Sequence, residues 1–297
     1  MLLLISGSGD GTSNMLCHSL DASVFRLNYD LFPEYKISFS PHSWEILNPA
    51  GHSITSDNVT SVFWWKAFNF FITSSDSFIV EEMKYTLREL YNWGRLRGLT
   101  RGNPPDFHNR FGKINILSIA RDYFSVPDTA VYSGFREGLP HSAGDMVAKS
   151  LSSGAFDSQK VLFTSQVNTE ELDGSYLWFL QAKVESDFDI TVFICGSSIF
   201  AFSRSRSQLR GLDWRAEQSF DVSANEWSPF QLSESETASV QGFCGALKVE
   251  WGRLDLLTTK NGLVFLEFNA NGQFMFLDYF NAHGMHDAVI KYVTSQR

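Results

Sequence analysis

Between Arg253 and Asn269 the chain has one economical way to fold. Two short runs rich in leucine, valine and phenylalanine, Arg253–Thr258 and Leu263–Asn269, are separated only by Thr259-Lys-Asn-Gly262. So short a connection, ending in glycine, joins neighbouring strands as an antiparallel hairpin. Plain alternation puts Leu263, Phe265, Glu267 and Asn269 on one face. If Asn261-Gly262 alone makes the turn, Asp255 pairs with Phe268 and points away from Glu267. If the loop is Lys260-Asn261-Gly262, with glycine left-handed, Asp255 lies directly opposite Glu267. A shared site requires the second register. It would offer two carboxylates and an amide oxygen, a hard donor set suited to magnesium, which keeps water and phosphate as its other ligands. The same residues also suit the solvent-facing edge of an ordinary hairpin, and spacing alone leaves both readings open.

The rest of the chain offers room for more than one unit. Its 297 residues suit two domains, or one with an elaborated lobe. A net charge of -9 argues against sequence-independent nucleic-acid binding, so no nucleic-acid partner is expected. With 27 Phe and 8 Trp, large packed surfaces or a peptide-binding groove are within reach. Cys17, Cys195 and Cys244 are odd in number and far apart, which is neither a disulfide framework nor a zinc pattern, and the last two read as buried thiols. The longest apolar stretch, Val62 to Ile72, is interrupted by Lys66 and Asn69, and the start lacks a basic segment before Leu2-Leu-Leu-Ile5. No membrane association and a cytoplasmic location are therefore expected.

Local patterning gives a coarse order of elements. Leu2–Ile5 stops at Ser6-Gly-Ser-Gly-Asp-Gly11, a strand followed by a turn. Val24–Asn28, Tyr35–Phe39 and Val62–Trp65 read as strands. Ile79, Met83, Leu87 and Leu90 mark an amphipathic helix over about 77–97. Thr100–Pro105 reads as a linker, which puts a domain boundary near residue 103. A second helix over about 109–124 would carry Lys113, Leu117, Ala120 and Phe124 on its inward stripe. Lys149 shares a strand face with Val147 and Leu151. Lysines in such places are either snorkelling side chains or charges reserved for a ligand. Strands then dominate: Val161–Thr164, Leu177–Gln181, Phe188–Cys195, Ile199–Arg204 and the hairpin, with a closing helix over about 284–295. An α/β part followed by an α+β part suggests lobes with a cleft between them.

Glu267-Phe-Asn269-Ala-Asn-Gly-Gln273 resembles the glutamate–x–asparagine motif of ATP-grasp ligases, in the form found in peptide-maturing members. Other segments follow in that family's order: Asn109-Arg-Phe-Gly-Lys113, Val126-Pro-Asp-Thr129, Val147-Ala-Lys149, Phe163-Thr-Ser165, Leu212-Asp-Trp-Arg215 and Trp251-Gly-Arg-Leu-Asp255. So do Phe25-Arg-Leu-Asn28, Phe32-Pro33 and Val62-Phe-Trp-Trp-Lys66. The likeness is greatest to the microviridin-type, or graspetide, RimK-like peptide ligases. It implies a pre-ATP-grasp α/β domain over 1–103 and a two-lobed ATP-grasp domain over 104–297, with a small lobe to about 180 and ATP between the lobes. It further implies adenine near Gln181 to Val184, with Lys113, Lys149 and Asp189 also on the nucleotide and Asp255, Glu267 and Asn269 on one or two magnesium ions. The implied partner is a precursor peptide with a leader sequence. Its Asp or Glu side chains would be activated as acyl phosphates and attacked by Lys, Ser or Thr. A homodimer is implied too.

The match has gaps. The family's glutamate–x–arginine stands here as Asp189-Ile-Thr191, so the arginine is missing, and Arg204 or Arg215 is the candidate replacement. Ala182 stands where a hinge glutamate is expected, and Ala270 where a proline is usual. Two further readings therefore stay open: a small-molecule carboxylate–amine ligase, and a catalytically weak peptide-binding paralogue. Gly7-x-Gly9-x-Gly11 reads as a turn, because Thr12 takes the last glycine's place in a dinucleotide fingerprint. His283 and His286 lack a third metal ligand and read as surface residues.

Overall fold

The computed structural model describes residues 1–66, 76–135, 145–152, 164–207 and 227–295. A parallel sheet opens the chain. Strand β1 (Leu2–Ser6) leads through helix α1 (Gly11–Leu20) to β2 (Val24–Asn28). A small antiparallel sheet follows, formed by β3 (Lys36–Phe39), β4 (Trp44–Leu47) and β5 (Ser53–Thr55). Then come β6 (Ser61–Trp64), α2 (Ser77–Leu96) and the short β7 (Thr100–Arg101), giving the order β2-β1-β6-β7. All five residues of β1 are buried, as an apolar run covered on both faces of a parallel sheet should be. Leu3, Ile5, Phe25, Leu27 and Val62 pack against Leu87, Leu90 and Tyr91 of α2. Ile79, placed on the same stripe by its spacing, lies in the first turn of α2 and is 42% exposed.

The glycine-rich segment after β1 is a turn that starts α1. Asp10 caps the helix by accepting from the Ser13 amide and holds Lys66 at 2.7 Å. The stretch read as a linker is firmly seated. β7 pairs with β6, and the Asn103 side-chain amide donates to the carbonyls of Trp251 (2.8 Å) and Ala270 (2.7 Å).

The single helix expected over 109–124 is two: α3 (Phe107–Arg110) and α4 (Lys113–Ala120). Phe111 leaves the helical region, and Gly112, with extended backbone angles, becomes the N-cap of α4. Lys113 is thus the first residue of a helix, while Leu117 and Ala120 face the core as expected. A four-stranded antiparallel sheet comes next, built from β8 (Thr129–Tyr132), β9 (Met146–Lys149), β10 (Ser165–Val167) and β11 (Trp178–Ala182) in the order β10-β9-β11-β8. Leu151 falls beyond the end of β9. Of the strand expected at Val161–Thr164, residues 161–163 lie outside the described residues.

The second large sheet has the order β14-β13-β12-β15-β16. Its strands are β12 (Phe188–Cys195), β13 (Ser198–Ser205), β14 (Ser228–Pro229), β15 (Trp251–Thr259) and β16 (Gly262–Asn269). Helix α5 (Glu234–Leu247), not among the elements expected from the sequence, starts from a capping box between Ser233 and Glu236 and buries Val240, Phe243, Cys244 and Leu247 at helical spacing. One face of this sheet, with Ile190, Val192, Leu254, Leu256 and Phe265, packs on α4 and α5. The opposite face changes character along its length. At one end Phe193 and Trp251 join Leu2, Leu4, Phe63 and Trp65 of the parallel sheet, with Met285, Val289 and Val293 of α6 (Met285–Thr294). Beyond Gly252 it turns polar. Among the described residues, no helix is long and apolar enough to cross a membrane. Cys195 and Cys244 are buried and free.

Gly252 marks that change with a positive φ of 139°, and a Cβ there would stand 2.4 Å from Phe268 Cζ. Both the backbone angle and the contact penalise any side chain. Gly252→Ala should cost roughly 2–4 kcal/mol, read as a lower urea midpoint with an unchanged slope.

Candidate functional site

The hairpin of β15 and β16 does place Asp255 opposite Glu267, by a route the turn alone did not reveal. The loop has two residues, Lys260 and Asn261, closed by Thr259 opposite Gly262. That register pairs Leu256 with Phe265 and, continued unbroken, would set Glu267 opposite Leu254, on the face that packs on α4 and α5. A β-bulge between Asp255 and Leu256 on one strand, with Leu266 as the extra residue on the other, shifts the pairing by one. Phe265 and Phe268 therefore point into the core, while Glu267 points with Asp255 into a cleft. The expected three-residue loop and the shared face of Phe265 and Glu267 are both corrected by this bulge.

The cleft holds about 840 Å³ of open space between the β8–β11 sheet and the polar end of the larger sheet. Val147, Lys149, Gln181 and Val184 line it from one side, and Asp189, Thr191, Arg253, Asp255, Leu266 and Glu267 from the other. Asn269 donates through Nδ2 to Asp255 Oδ2 (2.8 Å) and Glu267 Oε1 (3.2 Å). One nitrogen thus sits where the two carboxylates converge. Turning the amide about its last bond would put its oxygen there instead. The donor set of two carboxylates and one amide oxygen fits a hard divalent cation at that point. Among the described residues no group of three or more His, Cys, Asp or Glu could hold a metal, so any such cation must draw on the amide and on added ligands.

Cations surround the carboxylates. Arg253 donates through Nη2 to Asp255 Oδ2 at 3.0 Å and through Nη1 to the Gln273 carbonyl at 2.8 Å. Thr191, which replaces the missing arginine, donates its hydroxyl to Asp255 Oδ1 at 2.6 Å. Lys113 donates to the Ser150 carbonyl at 2.6 Å and stands 4.0 Å from Glu267. Lys149 donates to Gln181 Oε1 at 2.7 Å, and Gln181 donates onward to the Thr129 hydroxyl at 3.0 Å. Lys113, Lys149 and Glu267 also border a smaller side cavity. Burial, aided by the nearby Lys113 cation, holds His108 below the usual histidine range.

Of the two arginines named from the sequence, Arg204 stands opposite Asp189 on the cleft face and is buried. Arg206, two residues on, is the one that borders the cleft, where it pairs with Asp189 at 2.5 Å. Arg215 lies outside the described residues, as does the Leu212–Arg215 segment. Alternation from Asp255 already reaches Arg253, so that residue was detectable in the sequence. Trp227, which also lines the cleft, carried no sequence signal.

Asp189 is 8% exposed, and its Oδ2 is buried without a hydrogen-bond partner. Burial raises its carboxyl above the ordinary range, Arg206 pulls it back, and Asp255 adds to the rise. Removing Arg206 should therefore destabilise the fold by about 3 kcal/mol at neutral pH, as a buried charge loses its partner. Because the folded-state pKa lies above the unfolded value, acidification through it protonates Asp189 preferentially in the folded protein. The deficit of Arg206→Ala should shrink as pH falls through that range, and Asp189→Asn should rescue the variant. Denaturant titrations across pH check both.

No protein-family model matches the chain, and no curated protein matches it by sequence. Solved structures do. A RiPP-associated ATP-grasp ligase from Chryseobacterium gregarium, in complex with ADP and a leader and core peptide, superposes with a TM-score of 0.80 at 19% identity, over 98% of this chain and 96% of that one. The macrocyclase MdnC from Microcystis aeruginosa, bound with precursor peptide MdnA, gives 0.76 at 21% identity over 99% of both chains. D-alanine–D-alanine ligase from Bacillus anthracis, complexed with ATP, gives 0.57 at 13% identity over 99% and 95%. The chain has the ATP-grasp fold, as the resemblance implied. At these identities the likeness establishes the fold and nothing finer.

Proposed function

We propose that this protein is an ATP-dependent ligase acting on side-chain carboxylates of a peptide. The observation that carries the reading is the convergence of Asp255, Glu267 and Asn269, with Lys113 4.0 Å from Glu267 and Lys149 on the opposite wall of the cleft. Two carboxylates and an amide suit magnesium, and two lysines suit phosphate oxygens as point charges. The aliphatic end of the cleft, with Val147, Ala182, Val184 and Leu257, suits a purine beside Gln181–Val184. The orphaned Asp189 Oδ2 suits a ribose hydroxyl, which would supply the missing donor. Residues 1–103 would form the pre-ATP-grasp domain and 104–297 the ATP-grasp domain.

The chemistry follows from those groups. Magnesium held by Asp255, Glu267 and Asn269 would neutralise phosphate charge. Lys113 and Lys149 would hold the terminal phosphate oxygens while a substrate carboxylate oxygen attacks the γ-phosphorus and ADP leaves. Arg253, with Arg204 on the same sheet face and Arg206 on the cleft wall, offers cations to the incoming carboxylate and to the acyl phosphate. A nucleophile then attacks the acyl carbon, losing its proton, and phosphate departs. The C. gregarium and M. aeruginosa proteins are complexed with leader, core or precursor peptides. A precursor peptide with a leader, crosslinked through Lys, Ser or Thr, is thus the favoured substrate here. The fold shared with D-alanine–D-alanine ligase keeps a small-molecule acceptor as the second reading.

Magnesium and a non-hydrolysable ATP analogue together should raise the melting temperature. At a hundredfold excess over Kd the gain is about 2.7 kcal/mol. Glu267→Gln should abolish that magnesium-dependent gain and lower turnover by about a hundredfold or more, as losing a transition-state charge contact does. Its unliganded melting temperature should stay near wild type. No binding at millimolar ATP and magnesium would overturn the ligase reading. Loss of one water per bond from a co-expressed peptide, read by mass spectrometry, separates the peptide reading from the small-molecule one.

A further inference from the structure

The two ends of the cleft are lined differently, and the difference bears on what neighbours the reacting carboxylate. Around Gln181–Val184 the apolar part of the lining is aliphatic, from Val147, Ala182, Val184 and Leu257. Trp227 is the one aromatic among the described lining residues, and it shares the cleft with Arg206, Arg253 and Asp255. Its ring meets Phe276 edge to face at 6.1 Å, and the Arg253 guanidinium lies over the Phe276 ring at 5.6 Å. Arg253 is 8% exposed and its Nε is a buried donor without an acceptor. An anionic oxygen would complete that donor. Past Phe276 the same loop exposes Tyr279 and Phe280, which meet edge to face at 5.0 Å, with Phe280 79% exposed.

We propose that Arg253, Trp227 and Phe276 form an acceptor subsite selecting a peptide in which the acidic residue is next to an aromatic or bulky apolar one. The inference rests on the ligase reading and deepens it. The guanidinium takes the carboxylate, and the adjoining ring faces take the apolar neighbour, which the mostly polar lining elsewhere at this end would not reward. A free amino acid has no such neighbour to place. Tyr279 and Phe280, three and four residues after Phe276, expose a further aromatic pair that a single amino acid could not also reach, whereas an extended chain could.

Two probes test this, N-acetyl-Asp-Phe-amide and N-acetyl-Asp-Gly-amide, titrated by NMR onto the full chain loaded with ADP and magnesium. The Phe probe should bind about fivefold tighter, the worth of one aromatic contact. Trp227→Ala and Phe276→Leu should each erase the preference while the affinity for ADP and magnesium stays within about twofold. Trp227→Leu, which keeps apolar volume, replaces Trp227→Ala if that variant fails to fold. Equal affinities on the wild type, no binding of either probe, or a preference that survives in both variants each overturns the subsite. Free glutamate binding as tightly as the Phe probe overturns it in favour of a small acid. Failure of ADP and magnesium to bind is a separate result that removes the ligase reading, and this inference with it.

Discussion

Two carboxylates facing each other across one rung of an antiparallel sheet are the constraint around which this molecule is arranged. Asp255 and Glu267 are direct cross-strand partners, a placement that is unfavourable for like charges. Each nearby element contributes a group that answers the repulsion. Asn269 inserts an amide between them, Arg253 and Thr191 donate to Asp255 from β15 and β12, and Lys113 approaches Glu267 from the start of α4. Two carboxylates and an amide oxygen are a donor set that suits a hard cation, and Lys149 and Lys183 line the same cleft. The break at Phe111-Gly112 matters to this arrangement, because it makes Lys113 the leading residue of α4 rather than a stripe residue inside a longer helix.

The sheet bearing these groups is a partition. Its apolar face is sealed by α4 and α5, which fixes strand order and register. Its other face is locked at one end to the parallel sheet through Phe63, Trp65, Trp251 and Phe274, leaving only the remaining end for chemistry. The N-terminal part also reaches the site by hydrogen bonds. The Thr12 hydroxyl donates to the Gln273 side chain at 3.0 Å, and the Gln273 carbonyl accepts from Arg253. The first helix therefore helps hold the arginine that holds Asp255.

Several elements were legible without coordinates. β1, β2, β6, α2, β12 and the closing hairpin follow from local periodicity, and their edges fall within a few residues of where patterning put them. The short α3 and α4 did not, because Gly112 is neutral in a pattern and decisive as a cap. Helix α5 went unassigned although its buried residues, Val240, Phe243, Cys244 and Leu247, fall at helical spacing behind the Ser233–Glu236 capping box, so it was legible in the sequence. Among the arginines, alternation gives Arg204 and Arg206 the same face but does not say which one borders the cleft.

Spacing along the chain was enough to name Asp255, Glu267 and Asn269 as one candidate set, because side-chain type and strand alternation are local properties; Lys113, Lys149, Gln181 and Asp189 joined that set only through the resemblance to ATP-grasp ligases. Which way those side chains point was settled by packing. The two-residue turn taken alone would have buried Glu267 among phenylalanines, and the bulge at Leu266 turns it back into the cleft. A bulge leaves almost no trace in sequence, since its stability comes from the core on one side and the charged partners on the other. Thr191 beside Asp255, 64 positions on, and Trp227 and Arg253 meeting at Phe276 are likewise products of the tertiary fold. Only the folded chain brings them together.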